Sequence, residues 1–233
     1  MRALRTAVVL VLALALPAPV LAADYQAGLE AYNRGDYATA LKEWRPLADQ
    51  GYAGAQFNLG LIYENGYGVA QDYAEAAKWY RLAAEQGFAG AQFNLGLKYS
   101  NGQGVPQEYP EAVKWYRLAA FQGHAKAQRN LGLKYSNGQG VPRDYAEAVK
   151  WYRRAAEQGL ARAQNNLGGM YRDGVGVPQD YVQAHKWYSL AITRSSPGED
   201  LNPLVSARDN VEARMSPDQV AEAQRLAREW KPK

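Results

Sequence analysis

An all-α solenoid, made of antiparallel helix pairs stacked into a superhelix, is the fold class that this 233-residue sequence predicts. Three observations predict it. Segments starting at Ala55, Ala91, Ala127 and Ala163 align without a gap at a spacing of 36 residues, and self-similarity at a fixed period marks a repeat architecture. Trp79, Trp115, Trp151 and Trp187 fall on the same period, each inside Lys-Trp-Tyr. Within each unit the apolar residues recur at helical spacing.

The first 22 residues read as a secretory signal peptide. Met1-Arg2-Ala3-Leu4-Arg5-Thr6 carries two positive charges, Ala7 to Leu16 is an apolar run, and Pro17, Pro19 and Val20-Leu21-Ala22 form a small-residue ending. Cleavage is expected after Ala22, with Ala23 next. A membrane anchor needs about 20 apolar residues, and the prolines break this run sooner. Cleavage removes Arg2 and Arg5, which lowers Lys plus Arg from 27 to 25 against 23 acidic residues, a net charge near +2. Such a balance does not point to nucleic acid, whose binding needs a concentrated basic face. The sequence contains no cysteine, so neither a disulfide nor a lipid-bearing N-terminal cysteine is available. The expected location is the periplasm or the extracellular space, without stable membrane insertion after cleavage.

Residues 23–54 form a divergent unit, visible in Tyr32, Gly35-Asp36-Tyr37, Ala40, Trp44, Ala48 and Gly51. It lacks the long loop of the later units and suits an N-terminal cap. In the first full unit, 55–90, Ala55, Leu59 and Tyr63 make one stripe of a short helix. Asn65-Gly66 ends that helix, Gly66 being able to take the left-handed conformation of a helix C-terminus. Val69 is a plug for the loop, and Pro106, Pro142 and Pro178 follow the equivalent valines and stop the first helix from running on. Asp72 with Glu75 predicts a capping box at the start of a second helix, repeated by Asp144 with Glu147 and nearly by Asp180 with Gln183. Glu108 is the weak copy, and Pro110 is tolerable in the first turn.

The second helix carries Tyr73, Ala76, Ala77, Tyr80, Ala83 and Ala84 as a wide apolar stripe, and Gly87 ends it. Trp79 lies about 100° around the helix from Tyr80. One ring can therefore pack within the unit and the other against a neighbour. The alanines and Gly60 let helices approach closely. No pair can bury its own stripe; stacked pairs bury a continuous core in a right-handed superhelix. Units 91–126, 127–162 and 163–198 repeat the design.

These residues resemble the Sel1-like repeat family, a relative of the tetratricopeptide repeats, and the chain is identified as an exported bacterial member. The matching pattern is Ala55-Gln56-x-Asn58-Leu59-Gly60-x-x-Tyr63, Gly66-x-Gly68-Val69, then Asp72-Tyr73-x-x-Ala76-x-x-Trp79-Tyr80-x-x-Ala83-Ala84-x-x-Gly87. The departures are Ala70 for the loop proline, Glu108 for the capping aspartate and Gly169 at the position of Leu61. The resemblance implies protein–protein interaction, as in adaptors, without implying one partner. A cysteine-rich branch of the family is associated with binding penicillin-like compounds through units that carry disulfides, which this chain cannot form.

After the repeats, Ser195-Ser196-Pro197-Gly198 is a break. Within residues 199–233, Leu204 to Arg214 can form one helix. Ser216-Pro217-Asp218-Gln219 is a capping box for another, whose stripe is Val220, Ala223, Ala227 and Trp230. A solenoid needs capping elements with one polar face, so these helices are expected to cap the array rather than to dock elsewhere. Lys231-Pro232-Lys233 is a short tail.

Catalytic chemistry is not evident. His124 and His185 lie in different units without a cysteine, a poor metal set, and read as packing or surface variation. Gly66-Tyr67-Gly68 and its copies follow a helix and lack the Lys-Ser/Thr of a phosphate loop. No nucleophile has a neighbouring base, and acids that recur in every unit are caps. No enzyme activity and no cofactor are expected. The alternative is a peptidoglycan-, glycan- or β-lactam-binding protein with weak hydrolase activity.

Function is then sought where the units differ. With Ala55, Leu59 and Tyr63 turned inwards, residues 54, 57, 58, 61 and 65 face another side, which by resemblance to tetratricopeptide arrays lines a concave groove. The first two full units offer Phe57 and Leu61, then Phe93 and Leu97; the third offers Lys126 and Arg129; the fourth offers Arg162 and Asn165. Asn58, Asn94, Asn130 and Asn166 recur in all four. These amides either bond the backbone of a bound peptide or bridge neighbouring units. Phe57 and Phe93 either pack against helices or anchor a partner. A groove that is apolar and aromatic at one end and basic at the other would accept a peptide or protein segment with an apolar and an acidic part.

Overall fold

The computed structural model describes residues 18–196, 198 and 200–232, with side chains from Tyr25 onwards. The expected signal segment therefore lies largely outside the described residues, as do Pro197 of the expected break and Lys233 of the tail. Among the described residues there are twelve helices and no strand. They pair in chain order: α1 (Ala18–Asn33) with α2 (Tyr37–Asp49), α3 (Ala53–Asn65) with α4 (Tyr73–Glu85), α5 (Ala89–Asn101) with α6 (Tyr109–Phe121), α7 (Ala125–Asn137) with α8 (Tyr145–Glu157), and α9 (Ala161–Asp173) with α10 (Tyr181–Arg194). Then α11 (Asn202–Glu212) and α12 (Pro217–Glu229) both pack on α10. Each second helix also packs on the first helix of the next pair, which makes the array an all-α solenoid.

Local sequence explains the boundaries. Gly66, Gly102, Gly138 and Gly174 end the first helices in the left-handed conformation, with φ of 66–69°. Two residues on, a second glycine lets the loop press onto the preceding pair: a Cβ at Gly104 would lie 2.1 Å from the Tyr73 carbonyl oxygen. Asp72 caps α4 by accepting from the backbone N–H of Ala74 and Glu75, while Glu108 makes no capping bond. The capping boxes at Asp72 and Asp144 are only half formed. Glu75 and Glu147 turn to Lys78 and Lys150, one turn along, and satisfy a cation instead of the cap. The reciprocal box forms at Ser216 and Gln219. Helix α11 starts at Asn202, two residues before the expected Leu204, because Pro203 fits a first turn where its missing N–H costs nothing.

The first helices α3, α5, α7 and α9 are buried on more faces than a single stripe, since each lies between two second helices. Ala55, Leu59 and Ile62 are fully buried, and Tyr63 is only partly so. Trp79 joins a core cluster with Trp44 and Leu59, whereas Tyr80 joins the cluster of the next pair with Ala91 and Leu95. Two cations are buried as well. Lys98 is 1% exposed, bonded to Glu64 of the preceding unit and set over the Tyr73 ring. Its copy Lys134 meets the Tyr109 ring and Gln139, and burial holds its amine below the ordinary lysine range.

The C-terminal helices cover the last pair. His185, 2% exposed, places Nε2 2.9 Å from a Glu212 carboxylate oxygen on α11. Trp230 meets Trp187 edge-on at 6.3 Å, and the Arg194 guanidinium lies over its ring. Ala223 is buried, while Ala227 and Trp230 pack against the core beside Leu190.

Adjacent glycines of α9 give a direct test of this packing. A Cβ at Gly168 would come within 2.9 Å of the Tyr188 ring, whereas at Gly169 the nearest atom is 3.6 Å away. Gly168→Ala should destabilise by about 1–3 kcal/mol through overpacking. Gly169→Ala should stabilise by about 0.5–1 kcal/mol from helix propensity. Urea unfolding of the two variants measures both signs.

Candidate functional site

The repeated asparagines are engaged inside the array. Asn58 donates to the Tyr25 hydroxyl at 3.2 Å. Asn94, Asn130 and Asn166 lie beside the phenols of Tyr80, Tyr116 and Tyr152, each on the second helix of the preceding unit. Glu64, Ser100 and Ser136 reach the same phenols from within their own unit. Burial, reinforced at Tyr80 by Glu64, pushes these phenols above the ordinary tyrosine range, so they stay protonated.

A second amide system was not singled out by the sequence reading. Gln56, Gln92, Gln128 and Gln164 each donate to a carbonyl of the preceding second helix, those of Ala48, Ala84, Ala120 and Ala156, at 3.0–3.1 Å. Gln86, Gln122 and Gln158 donate in turn to the first three of these amides at 2.7–2.8 Å. In the fourth unit the donor position is Arg194, which lies over Trp230 instead. The Oε1 of fully buried Gln164 has no hydrogen-bond partner.

The variable residues lie along three adjoining cavities that share lining residues. The first, about 340 Å³, is bordered by Phe57, Phe93, Asn94, His124 and Lys126. The second, about 530 Å³, takes in Phe93, Leu97, Lys126, Arg129, Asn130 and Arg162. The third, about 240 Å³, includes Arg162, Asn165, Asp200 and Leu204. Leu61 packs instead against the core, and Asn58 and Asn166 border none of the three. Phe57 is partly buried between Tyr80 and Phe88, with ring centroids 5.9 and 4.9 Å away. Phe93 stacks on His124 at 4.7 Å and meets Tyr116 at 6.1 Å. Both rings therefore pack and still line the groove.

Charge changes along this path. Lys126 and Arg162 are exposed, and Arg129 is partly buried. Burial lowers the Arg129 guanidinium below the usual arginine range, and Arg162 adds to that lowering. Arg194, Ser195 and Ser196 complete the middle cavity. Arg194 could have been found from the sequence, because it replaces the glutamine held at 86, 122 and 158.

Comparison with known proteins follows the same units. The Sel1 repeat family model matches residues 53–88, 89–124, 125–160 and 161–196, more than half of the chain. A Sel1 repeat protein from Oxalobacter formigenes is 35% identical, with 88% of this chain and 82% of that chain covered and a TM-score of 0.74. The protective antigen c5321 of uropathogenic Escherichia coli strains, which displays an SLR fold, is 33% identical at a TM-score of 0.72. That match covers 90% of this chain and 53% of the antigen, so the chain spans about half its length. A sel1 repeat protein from Klebsiella pneumoniae shares the fold at 21% identity, with 82% and 93% covered and a TM-score of 0.51. No curated protein matches the chain. Among the described residues, no helix is long and apolar enough to cross a membrane.

His124 links the groove to stability. Its Nδ1 accepts from the Ala127 backbone N–H at the start of α7. Burial, then the Lys126 charge, hold its imidazole below the ordinary histidine range. The unfolded chain therefore binds this proton more readily than the folded one, and stability falls as pH drops through about 6.5 and below. Protonation removes the cap acceptor and sets a positive charge at a helix N-terminus. His124→Asn keeps a capping side chain and should lose this part of the acid sensitivity, as read by thermal melts between pH 7.5 and 5.

Proposed function

This chain belongs to the Sel1 repeat family, and we propose that it is a non-enzymatic scaffold of the bacterial envelope that holds a peptide or protein partner along its first helices. Repeats of this family generally act as protein-interaction scaffolds. The observation that carries the finer reading is the contrast between the groove and what lies behind it. Position 57 and its copies run Phe57, Phe93, Arg129, Asn165, while the buried tyrosine, glycine and glutamine positions stay the same in the four units. A lining that changes along a constant frame presents a different chemistry at each step. Here it passes from aromatic to basic, which suits a segment with an apolar part followed by an acidic part.

Asn94 and Asn130 border the groove and lie beside Tyr80 and Tyr116. Their contribution to binding is through the faces they leave accessible, with Phe57, Phe93, Leu97, Lys126, Arg129, Arg162 and Asn165 as the principal contacts. The glycan- or β-lactam-binding alternative is less well supported. Trp79, Trp115, Trp151 and Trp187 are only 5–7% exposed and offer little face to a sugar.

A photocrosslinking residue at position 97 or 126, tested in living cells, should capture a protein that Phe93→Ala/Arg129→Glu no longer captures. A crosslinker at exposed Lys114 on the second helix α6 should not capture it. Unchanged capture by the double variant would move binding away from the groove. Export is read separately: the protein recovered from the envelope or medium should begin at Ala23 or Asp24. Recovery of the chain in the cytosol with its first residues intact would remove the envelope from this reading.

A further inference from the structure

The last pair differs from the others in what covers its second helix. Helix α12 lies across the outer face of α10, the face turned away from buried Ala184, Tyr188 and Ala191. Gln224, Ala227 and Arg228 of α12 meet Ser189, Leu190 and Thr193 of α10 there. Beneath this helix Leu190 is 5% exposed. Small Ala223 and Ala227 let the two helices approach, and Trp230 reaches round to Trp187.

The 36-residue period places Leu82 and Leu118 at the position of Leu190, and Phe121 at that of Thr193. These copies are open. Leu82 and Leu118 are each 43% exposed, and Phe121 is 68% exposed. Leu118 and Phe121 are three residues apart on α6 and so share one face. Glu85 and Glu157 hold the position of Phe121 on α4 and α8, and Arg154 holds that of Leu118 on α8. Of these three second helices, only α6 therefore pairs two large apolar residues on its outer face. Scattered single apolar residues are ordinary on a surface, whereas an apolar patch rimmed by polar groups marks an interaction site.

The rim is basic. Arg117 and Arg153 are exposed and donate to the phenols of Tyr135 and Tyr171, which are neutral and compensate no charge. Exposed Arg154 lies over the Trp151 ring. Lys114 and Lys150 are paired with Glu111 and Glu147. Against the three arginines stands exposed Glu85 on α4.

We propose that the outer face of α6, centred on Leu118 and Phe121, docks an amphipathic helix of a protein partner, laid on α6 as α12 is laid on α10. Gln122 of α6 donates to the Gly87 carbonyl at the end of α4, so Leu82 on that neighbouring helix extends the apolar face. The docked helix carries a stripe of small residues with one aromatic anchor, as α12 does, and acidic flanks that match the arginine rim. Helix-on-helix recognition of this kind reads anchors at i, i+3 and i+7. The site lies on second helices and is separate from the first-helix groove, so either can exist without the other.

The probe is a fluorescent synthetic copy of residues 216–230 with Gln224→Glu and Arg228→Glu on its flank. A staple between the outer positions of Ala221 and Arg225 holds it helical. Its binding to the purified chain, followed by anisotropy, should be saturable. Leu118→Glu/Phe121→Glu, checked for folding by circular dichroism, should weaken it about tenfold or more. Phe93→Ala/Arg129→Glu, in the groove, should leave it unchanged. The same peptide with Gln224 and Arg228 restored should bind several-fold more weakly, and added salt should narrow that gap. Absence of saturable binding, or binding that survives the Leu118/Phe121 change, would overturn the proposal. So would a chain that sediments as a dimer and becomes monomeric with Phe121→Glu, which assigns the face to a second copy. Cosedimentation with phosphatidylglycerol vesicles, lost in the same variant, would overturn it in favour of a membrane surface.

Discussion

In every full unit a tyrosine of the second helix lies against a glycine of the first, so closely that a Cβ at Gly60, Gly96, Gly132 or Gly168 would approach the ring within 2.4–2.9 Å. The divergent first pair does the same with Trp44 over Gly28. This contact fixes the spacing of the pair, because rings in a dense core have little room to shift. It also bears on how pairs stack, since the phenols of Tyr80, Tyr116 and Tyr152 reach the asparagine of the following unit. One side chain thus sets both the thickness of a unit and its register on the next.

The glutamine system adds a second tie at the other end of each second helix. Gln92, for example, accepts from Gln122 of its own unit and donates to Ala84 of the preceding one. Buried amides of this kind tolerate little displacement, because a broken bond strands a polar group away from water. The ladder stops at Arg194, which leaves Gln164 short of a donor and turns towards Trp230 of the terminal cap. The end of the repeat, the start of the cap and the most basic part of the groove therefore meet at one residue.

Such a frame suits a scaffold. The tyrosines, glycines and amides hold neighbouring first helices in a constant relation, so their outer positions can differ without cost to the fold. Phe93 and Arg129 occupy equivalent places and differ in size, charge and hydrogen bonding, yet each borders the same cavity. A cavity lined by several units takes its chemistry from their order along the array, and no single unit contains it.

Much of this was legible in the sequence. The 36-residue period determined the unit, the helical spacing of alanines and tyrosines determined the helix pairs, and the glycine positions determined where the first helices end. These follow from local geometry, where backbone conformation and side-chain period act over a few residues. The capping boxes were read less well, because Glu75 and Glu147 had a lysine within reach that spacing alone does not weigh against the cap. Tertiary structure alone decided the partners of the asparagines and glutamines, the burial of Lys98, and the meeting of Arg129 with Arg194 at one cavity. Those outcomes depend on atoms brought together from 8 to 65 positions apart, and only the stacking of the pairs determines which of the many polar groups at such separations become neighbours.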